Sequence, residues 1–277
     1  MKPGKVTVVG GGLAGGLISI MLARSGWRVT LLERRADPRQ TRLRSTRTIN
    51  LALSTRGRTA LASVGLEDRV LSKSVAMHGR QVHCLDVEER FIPYSSDPSN
   101  AIYSIRRDLL NQTLIEEASR EEGIDIRFGA RCVDISPQSG RVDYELFGGD
   151  SACLESDLII GADGLWSFVR EVVSAHEPGC SVEVSTFSHG YKELTISAPS
   201  AQAAQLRTDA LHVWPRGTAL IVALPNPNES FNCTLFWNLK GQDSFARRDN
   251  QVALQDALQN DYPDLIPLLD DLTDQYA

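Results

Sequence analysis

The feature that most constrains this chain is a glycine-punctuated turn, Gly10-x-Gly12-x-x-Gly15, set between a short β-branched run from Lys5 to Val9 and an apolar-faced segment from Leu13 to Arg24. Leu17, Ile18, Met21 and Leu22 recur at helical spacing in that segment, Gly26 ends it, and Trp27 to Glu33 reads as a second strand finishing on a carboxylate. Strand, tight turn, helix and strand within about thirty residues form the start of a βαβ unit. Gly10 permits the turn, Gly12 lets a diphosphate come close to the backbone, and Gly15 lets helix and strand pack closely. The free N–H groups and positive dipole end of the helix then attract the anion. Glu33, 18 residues beyond Gly15, is placed to accept hydrogen bonds from a ribose hydroxyl, and Ala14 sits inside the turn. The motif points to a dinucleotide and leaves FAD and NAD both open.

Composition narrows the rest. With 277 residues, 42% hydrophobic and 23% charged, the chain can bury a real core in one large or two smaller domains. A formal net charge of −6 argues against nucleic acid as a partner. The basic residues are uneven: Arg24, Arg28, Arg34, Arg35, Arg39, Arg42, Arg44, Arg47, Arg56 and Arg58 crowd one early stretch. They read as a solvated surface or, for two or three of them, as a positive rim toward an anionic cofactor. Cys84, Cys132, Cys153, Cys180 and Cys233 show no metal-ligand or disulfide spacing. No apolar run reaches the roughly 20 residues a membrane span needs, and no leader precedes the first strand, so the expectation is a soluble, cytoplasmic chain without a membrane segment.

Further along, 54–64 reads as a helix, 78–84, 90–93 and 101–105 as strands, and Arg106 to Glu121 as an amphipathic helix. Strands follow at 125–128, 131–136 and 142–147, then at 157–160, which runs into Gly161-Ala162-Asp163-Gly164 and a helix from about Trp166 to Val173. Beyond Gly179 the pattern becomes long alternating strands at 182–196, 209–214, 218–224 and 231–238, the signature of an antiparallel sheet; 243–272 reads as helical and acidic.

An ordered set of strings makes the reading specific. Ile49-Asn50-Leu51-Ala52-Leu53-Ser54, Gly79-Arg80, Ile102-Tyr103-Ser104-Ile105 leading to Arg107 and Asn111, Gly161-Ala162-Asp163-Gly164 and His189-Gly190-Tyr191-Lys192-Glu193-Leu194 occur in that order. Leu211-His212-Val213-Trp214-Pro215, Ala223-Leu224-Pro225-Asn226 and Thr234-Leu235-Phe236 follow them. Together they resemble the kynurenine 3-monooxygenase family of flavin-dependent aromatic hydroxylases, from residue 5 to about residue 270. The resemblance implies an α/β fold: a Rossmann-like FAD-binding domain of the GR2 flavin-hydroxylase type with an inserted antiparallel β-sheet substrate domain. It divides the chain at 1–175 for the first part of the FAD domain and 176–277 for the substrate domain.

Carried over by position, the resemblance makes FAD the cofactor and NADPH a transient co-substrate. Glu33 would hold the adenosine ribose, with Leu32, Arg34 and Arg35 beside it; Ala52 would bring backbone close to the flavin; Arg107 would reach the phosphates. Cys132 would offer backbone on the adenine side, and Asp163 would serve the cofactor or cap the helix that follows it. The substrate implied is a small aromatic amino acid, L-kynurenine, hydroxylated to 3-hydroxykynurenine through a peroxyflavin. Arg80 and Tyr94 would hold its carboxylate, while Leu211, Leu220, Val222 and Phe236 would wall the ring or else pack in a core. No side chain is cast as nucleophile or base, because the cofactor does the hard chemistry. The chain departs from the family pattern at Ser45-Thr46-Arg47-Thr48, and the family's second flavin motif, a Gly-Asp followed by small residues and His, is expected beyond residue 277. A truncated monooxygenase is therefore the leading expectation, with a short non-catalytic binding relative and a hydroxylase of another aromatic substrate as alternatives.

Overall fold

The computed structural model describes residues 3–40, 48–85, 88–241, 244–247, 256 and 258–269. By contact the chain divides into two units. The first comprises Met1–Arg44, Leu61–Leu66 and Asp108–Val184; the second comprises Ser45–Ala60, Glu67–Arg107 and Ser185–Ala277.

A four-stranded parallel sheet organises the first unit, in the order Leu158–Gly161, Lys5–Val9, Arg28–Glu33, Ile124–Phe128. One face of its inner strands is apolar: Val6, Val8, Val29 and Leu31 are buried in one cluster with Ile115, while Thr7 and Thr30 alternate with them on the other face. The helix Leu13–Arg24 crosses between the first two strands and buries Gly15, Gly16, Ser19 and Ile20. A methyl at Gly16 would stand 3.2 Å from Cβ of Leu114, so that glycine sets how closely the helix containing Leu114 approaches. A second, three-stranded antiparallel sheet, in the order Ser151–Glu155, Arg141–Glu145, Arg131–Ser136, has its own core of Ile135, Val142 and Tyr144, with Phe168, Val169 and Val172 of the helix Phe168–His176 packed on it.

The second unit is built on a six-stranded sheet in the order His189–Ile196, Phe231–Asn238, Ala219–Pro225, Ala210–Arg216, Gly79–Val82, Arg90–Pro93. Every pairing is antiparallel except that of Gly79–Val82 with Ala210–Arg216, which is parallel. This pairing places 67–107 with the second unit, although the sequence reading kept everything before residue 176 in the first. A three-stranded antiparallel sheet, Asn50–Leu53, Ile102–Arg106, Val75–Met77, also belongs here. One face of the six-stranded sheet is covered: Trp214, Ile221, Ala223, Phe231, Leu235 and Trp237 pack with Leu258, Tyr262 and Leu265 in a single buried cluster.

Three expectations change. The long strand expected over 182–196 begins only at His189, because its partner ends at Asn238; Val182, Val184 and Phe187 find nothing to pair with and are exposed. The helix expected over 243–272 is present within the described residues only at 256 and 258–261, flanked by 3-10 turns at Phe245–Arg247 and Ile266–Leu268; residues 242–243, 248–255, 257 and those beyond 269 lie outside the described residues. Arg42, Arg44 and Arg47 and the departure at Ser45–Arg47 also lie outside the described residues. Among the described residues no helix is long and apolar enough to cross a membrane.

Candidate functional site

The glycine turn has the geometry its spacing implies. Gly10 adopts φ +107°, a conformation that side chains disfavour, and its N–H donates to the Leu32 carbonyl at 2.8 Å. A Cβ there would lie 2.8 Å from Cα of Asp163, so the strand end and the Ala162-Asp163 turn close on each other. A Cβ on Gly15 would overlap the Gly10 carbonyl oxygen. Gly12 is the opposite: a Cβ added there meets nothing within 4 Å, and the residue caps the helix without a side-chain hydrogen bond. The first-turn N–H groups of a helix have no intrahelical acceptors, so this end is open and suited to an anion.

Glu33 is buried, 9% exposed, and its carboxylate is held from two sides. Oε2 accepts from the Gly11 N–H at 2.7 Å and Oε1 from the Arg35 N–H at 2.8 Å. Each oxygen keeps a lone pair, so the group is fixed in orientation and still able to accept from a diol. Ala14, Arg34 and Arg35 are exposed beside it, and Leu32 is buried beneath, in the core that holds Ala130 and Tyr144. Of the early arginines, Arg24 is bound to Glu117 and Glu121 and donates to the Val64 carbonyl, so it is structural and leaves the rim. Arg39 grips Asp37, and that hydrogen bond holds the Asp37 carboxyl below its usual range.

Ser167 is the N-cap of the following helix, its Oγ accepting from the Arg170 N–H at 3.0 Å, and that hydroxyl donates to Asp163 Oδ1 at 2.6 Å. Asp163 takes part in the cap through Oδ2, which accepts from the first-turn N–H of Val169 at 3.1 Å. Cys132 is half-buried on its strand; burial, then the nearby Asp163, pushes its thiol up to about 12, so it is no nucleophile near neutrality.

In the second unit the residues expected to meet substrate fall on one face. Alternation along each strand and the observed register place Leu211 beside Arg80, Val222 beside Val213, and Leu220 beside Phe236. This is the face opposite the core cluster, which takes the intervening residues. Core packing therefore does not account for Leu211, Leu220, Val222 and Phe236; Phe236 is 38% exposed. Arg80 and Tyr94 come together at the far edge, with the guanidinium 5.5 Å from the ring centroid. Burial raises the Tyr94 hydroxyl above its ordinary range, with Arg80 pulling the other way, so it stays a donor. Ala52 is exposed in the middle of the Asn50–Leu53 strand, and Arg107 is exposed at the head of the helix Arg107–Ala118, its N–H bonded to the Ile49 carbonyl.

One feature of the site escaped sequence reasoning. Tyr191 lies in register with Phe236, their ring centroids 6.4 Å apart, and is 63% exposed on the same face. Gly190 before it explains part of the His189–Leu194 string: a Cβ would stand 2.6 Å from Cδ2 of Leu239. His212 and His83 are buried on the covered side, Nδ1 to Nε2 2.8 Å apart, with His83 also bonded to Glu89 and His212 to the Arg207 carbonyl. They are structural. Among the described residues no cluster of His, Cys, Asp and Glu is arranged to hold a metal ion.

Residues 4–265 match the FAD binding domain family. The chain belongs to that family. Within it, the chain is 37% identical over 268 residues to a kynurenine 3-monooxygenase of Stenotrophomonas maltophilia (strain K279a) and 39% over 272 residues to one of Myxococcus xanthus (strain DK1622). These alignments take in 96% and 98% of this chain and 58% of each relative, so the chain spans somewhat over half the length of the curated relatives it matches. Among solved structures it is similar to a flavoprotein/dehydrogenase from Cytophaga hutchinsonii (TM-score 0.72, 17% identity, 97% of this chain and 64% of that one). It is also similar to the tetrameric form of 2-methyl-3-hydroxypyridine-5-carboxylic acid oxygenase (TM-score 0.72, 22% identity, 97% and 67%). At those identities the likeness establishes the FAD binding domain fold, with its parallel sheet and antiparallel sheets.

Proposed function

We propose that this chain carries the FAD cradle and the substrate sheet of a kynurenine 3-monooxygenase, converting L-kynurenine to 3-hydroxykynurenine with NADPH and O2. The observation that carries the reading is the placement of Arg80 and Tyr94 at one edge of an open apolar face made by Leu211, Leu220, Val222 and Phe236. Arg80 and Leu211 share a row, and Pro215, four residues further along the same strand, stands beside Leu220, which stands beside Phe236. Four residues along a strand span about 13 Å, which suits a molecule with a carboxylate at one end and an aryl ring at the other, allowing for the arginine stem.

The residues present fit FAD. Gly12 leaves the space a diphosphate needs, the uncapped helix end supplies donors, and Glu33 is fixed with acceptor capacity to spare for a ribose. When bound and reduced by NADPH, FAD supplies the activation of O2 and the transfer of one oxygen atom to the ring. The chain's own work is to bind and orient. Arg80 offers two parallel donors to the substrate carboxylate, and Tyr94 adds a hydroxyl. The apolar face would hold and orient the ring, which is the protein's share of the work in a cofactor enzyme. By the family resemblance, Arg34 and Arg35 would flank the adenosine side, Arg107 would meet the phosphates, and Ala52 and Cys132 would offer backbone to the cofactor.

The test is direct. The natural full-length polypeptide, loaded with FAD and supplied with NADPH, O2 and L-kynurenine, should yield 3-hydroxykynurenine by chromatography. An FAD-loaded protein that forms none, or that prefers an aromatic substrate without a carboxylate, refutes the reading.

A further inference from the structure

Asn50, Asn226 and Asn232 form a closed ring of side-chain amides. Asn50 Nδ2 donates to Asn226 Oδ1 at 2.9 Å, Asn226 Nδ2 to Asn232 Oδ1 at 3.2 Å, and Asn232 Nδ2 to Asn50 Oδ1 at 2.8 Å. Outside the ring the amides donate further: Asn50 to Ser104 Oγ at 2.9 Å and, more weakly, to the Pro225 carbonyl at 3.3 Å, Asn226 to Ser230 Oγ at 3.0 Å, and Asn232 to the Thr48 carbonyl. A carbonyl only accepts, so Asn232 must present its nitrogen to Thr48; the direction of the whole ring then follows.

The ring joins segments far apart in sequence. Asn226 is buried in the turn between two strands of the six-stranded sheet, where its backbone also bonds Ser230 and Glu229, and Asn232 stands on the next strand, in register with Leu224. Asn50 begins the strand that carries Ala52. Among the described residues the Asn50–Leu53 strand pairs in a backbone ladder only with Ile102–Arg106, so side chains tie it directly to the substrate sheet. The amide ring is the centre of that tie.

We propose that Asn50, Asn226 and Asn232 are positioning residues that set the distance between the strand bearing Ala52 and the sheet face bearing Leu211, Leu220, Val222 and Phe236. This rests on the function proposed above, in which the first surface meets the flavin and the second walls the aromatic ring. Holding the two reacting partners in register makes oxygen transfer to the ring outrun loss of oxygen as hydrogen peroxide. A network in which every donor is satisfied is stiff, and breaking one link strands its neighbours.

Asn226→Ala opens the ring. Asn226→Asp keeps its shape and its acceptor for Asn50 but sets a carboxylate oxygen against Asn232 Oδ1. Ser230→Ala leaves all three ring bonds in place while removing the outer acceptor of Asn226 and the hydroxyl's own bond to Asn228 Oδ1, and so serves as control for losses outside the ring. Hydrogen exchange by mass spectrometry on this chain should show amides of Asn50–Leu53 exchanging about tenfold faster in both ring variants, with exchange in the core strand Ala219–Pro225 unchanged. In the FAD-loaded full-length polypeptide both variants should release a larger share of consumed O2 as peroxide, while Ser230→Ala stays coupled. Ring variants with wild-type exchange at Asn50–Leu53 overturn the proposal, as do variants that exchange faster yet remain fully coupled. Should Asn226→Ala fail to fold, Asn226→Asp decides alone. A wild-type enzyme that makes no 3-hydroxykynurenine overturns the functional reading instead, and the exchange result still stands on its own.

Discussion

Gly12 and Gly15 belong to one motif and predict opposite phenotypes. A methyl on Gly15 collides with the Gly10 carbonyl oxygen and comes to 3.3 Å from Cβ of Ala162. The first obstacle is backbone, with no rotamer to turn aside, so overpacking of about 3 kcal/mol is expected, or roughly 6–12 °C in melting temperature for a chain of this size. Gly12→Ala meets nothing within 4 Å, and φ −75° suits alanine, so nothing in the fold resists it. Its stability should stay within about 0.5 kcal/mol of wild type. The new methyl instead fills the space in front of the helix N-terminus. A diphosphate held off those N–H groups loses charge-assisted hydrogen bonds worth about 1.5–3 kcal/mol, or about 10- to 150-fold in Kd. Circular dichroism melts and FAD titration by fluorescence quenching separate the two effects. A Gly12→Ala variant with wild-type FAD affinity refutes the cradle; a Gly15→Ala variant that melts with wild type refutes the close-packing argument.

Arg80→Ala should raise KM for kynurenine by about 10- to 100-fold, as loss of a charged hydrogen-bonding partner does, with a smaller change in kcat; Arg80→Lys should restore little, because one ammonium cannot reproduce the fork. An unchanged KM in steady-state assays excludes Arg80 as the carboxylate anchor. His212 is held neutral, with burial lowering it to about 4. A folded-state value below the unfolded one means stability is complete above about pH 6.5 and is lost as pH falls through 4, by up to about 3 kcal/mol. Urea titrations across that window should show an acid limb that is flatter in His212→Phe than in wild type, after normalising for the stability lost at pH 8. Cys132, raised by burial to about 12, should alkylate far more slowly at pH 8 than exposed Cys84, Cys153 and Cys180, read by peptide mass spectrometry. Its stabilising contribution should disappear as pH rises from about 9 through 12, since the unfolded thiol ionises first.

The sequence alone determined the local architecture. The run Lys5–Val9, the three glycines and the closing Glu33 specify strand, turn, helix and strand within one window, and the structure places each within a residue or so of expectation. The run 219–225 was legible as a strand, but it is apolar throughout, so which of its residues face the core was decided only by the sheet. Strand length was less legible: 182–188 alternates like a strand and is none, since strands are stabilised by a partner and the partner ends at Asn238. Ser167 capping above Asp163 lies within one turn and was open to sequence reading, whereas Glu33 held by Gly11 and Tyr191 beside Phe236 each depend on a neighbour that no local window contains. The same holds for the substrate face. Arg80 meets Leu211 only because Gly79–Val82 pairs in parallel with Ala210–Arg216, and the amide ring exists only because Asn50 reaches Asn226 and Asn232. Periodicity and turn chemistry are written into consecutive residues, whereas hydrogen-bond partners distant in sequence are chosen by the folded sheet, and that choice is what turns a set of strings into a site.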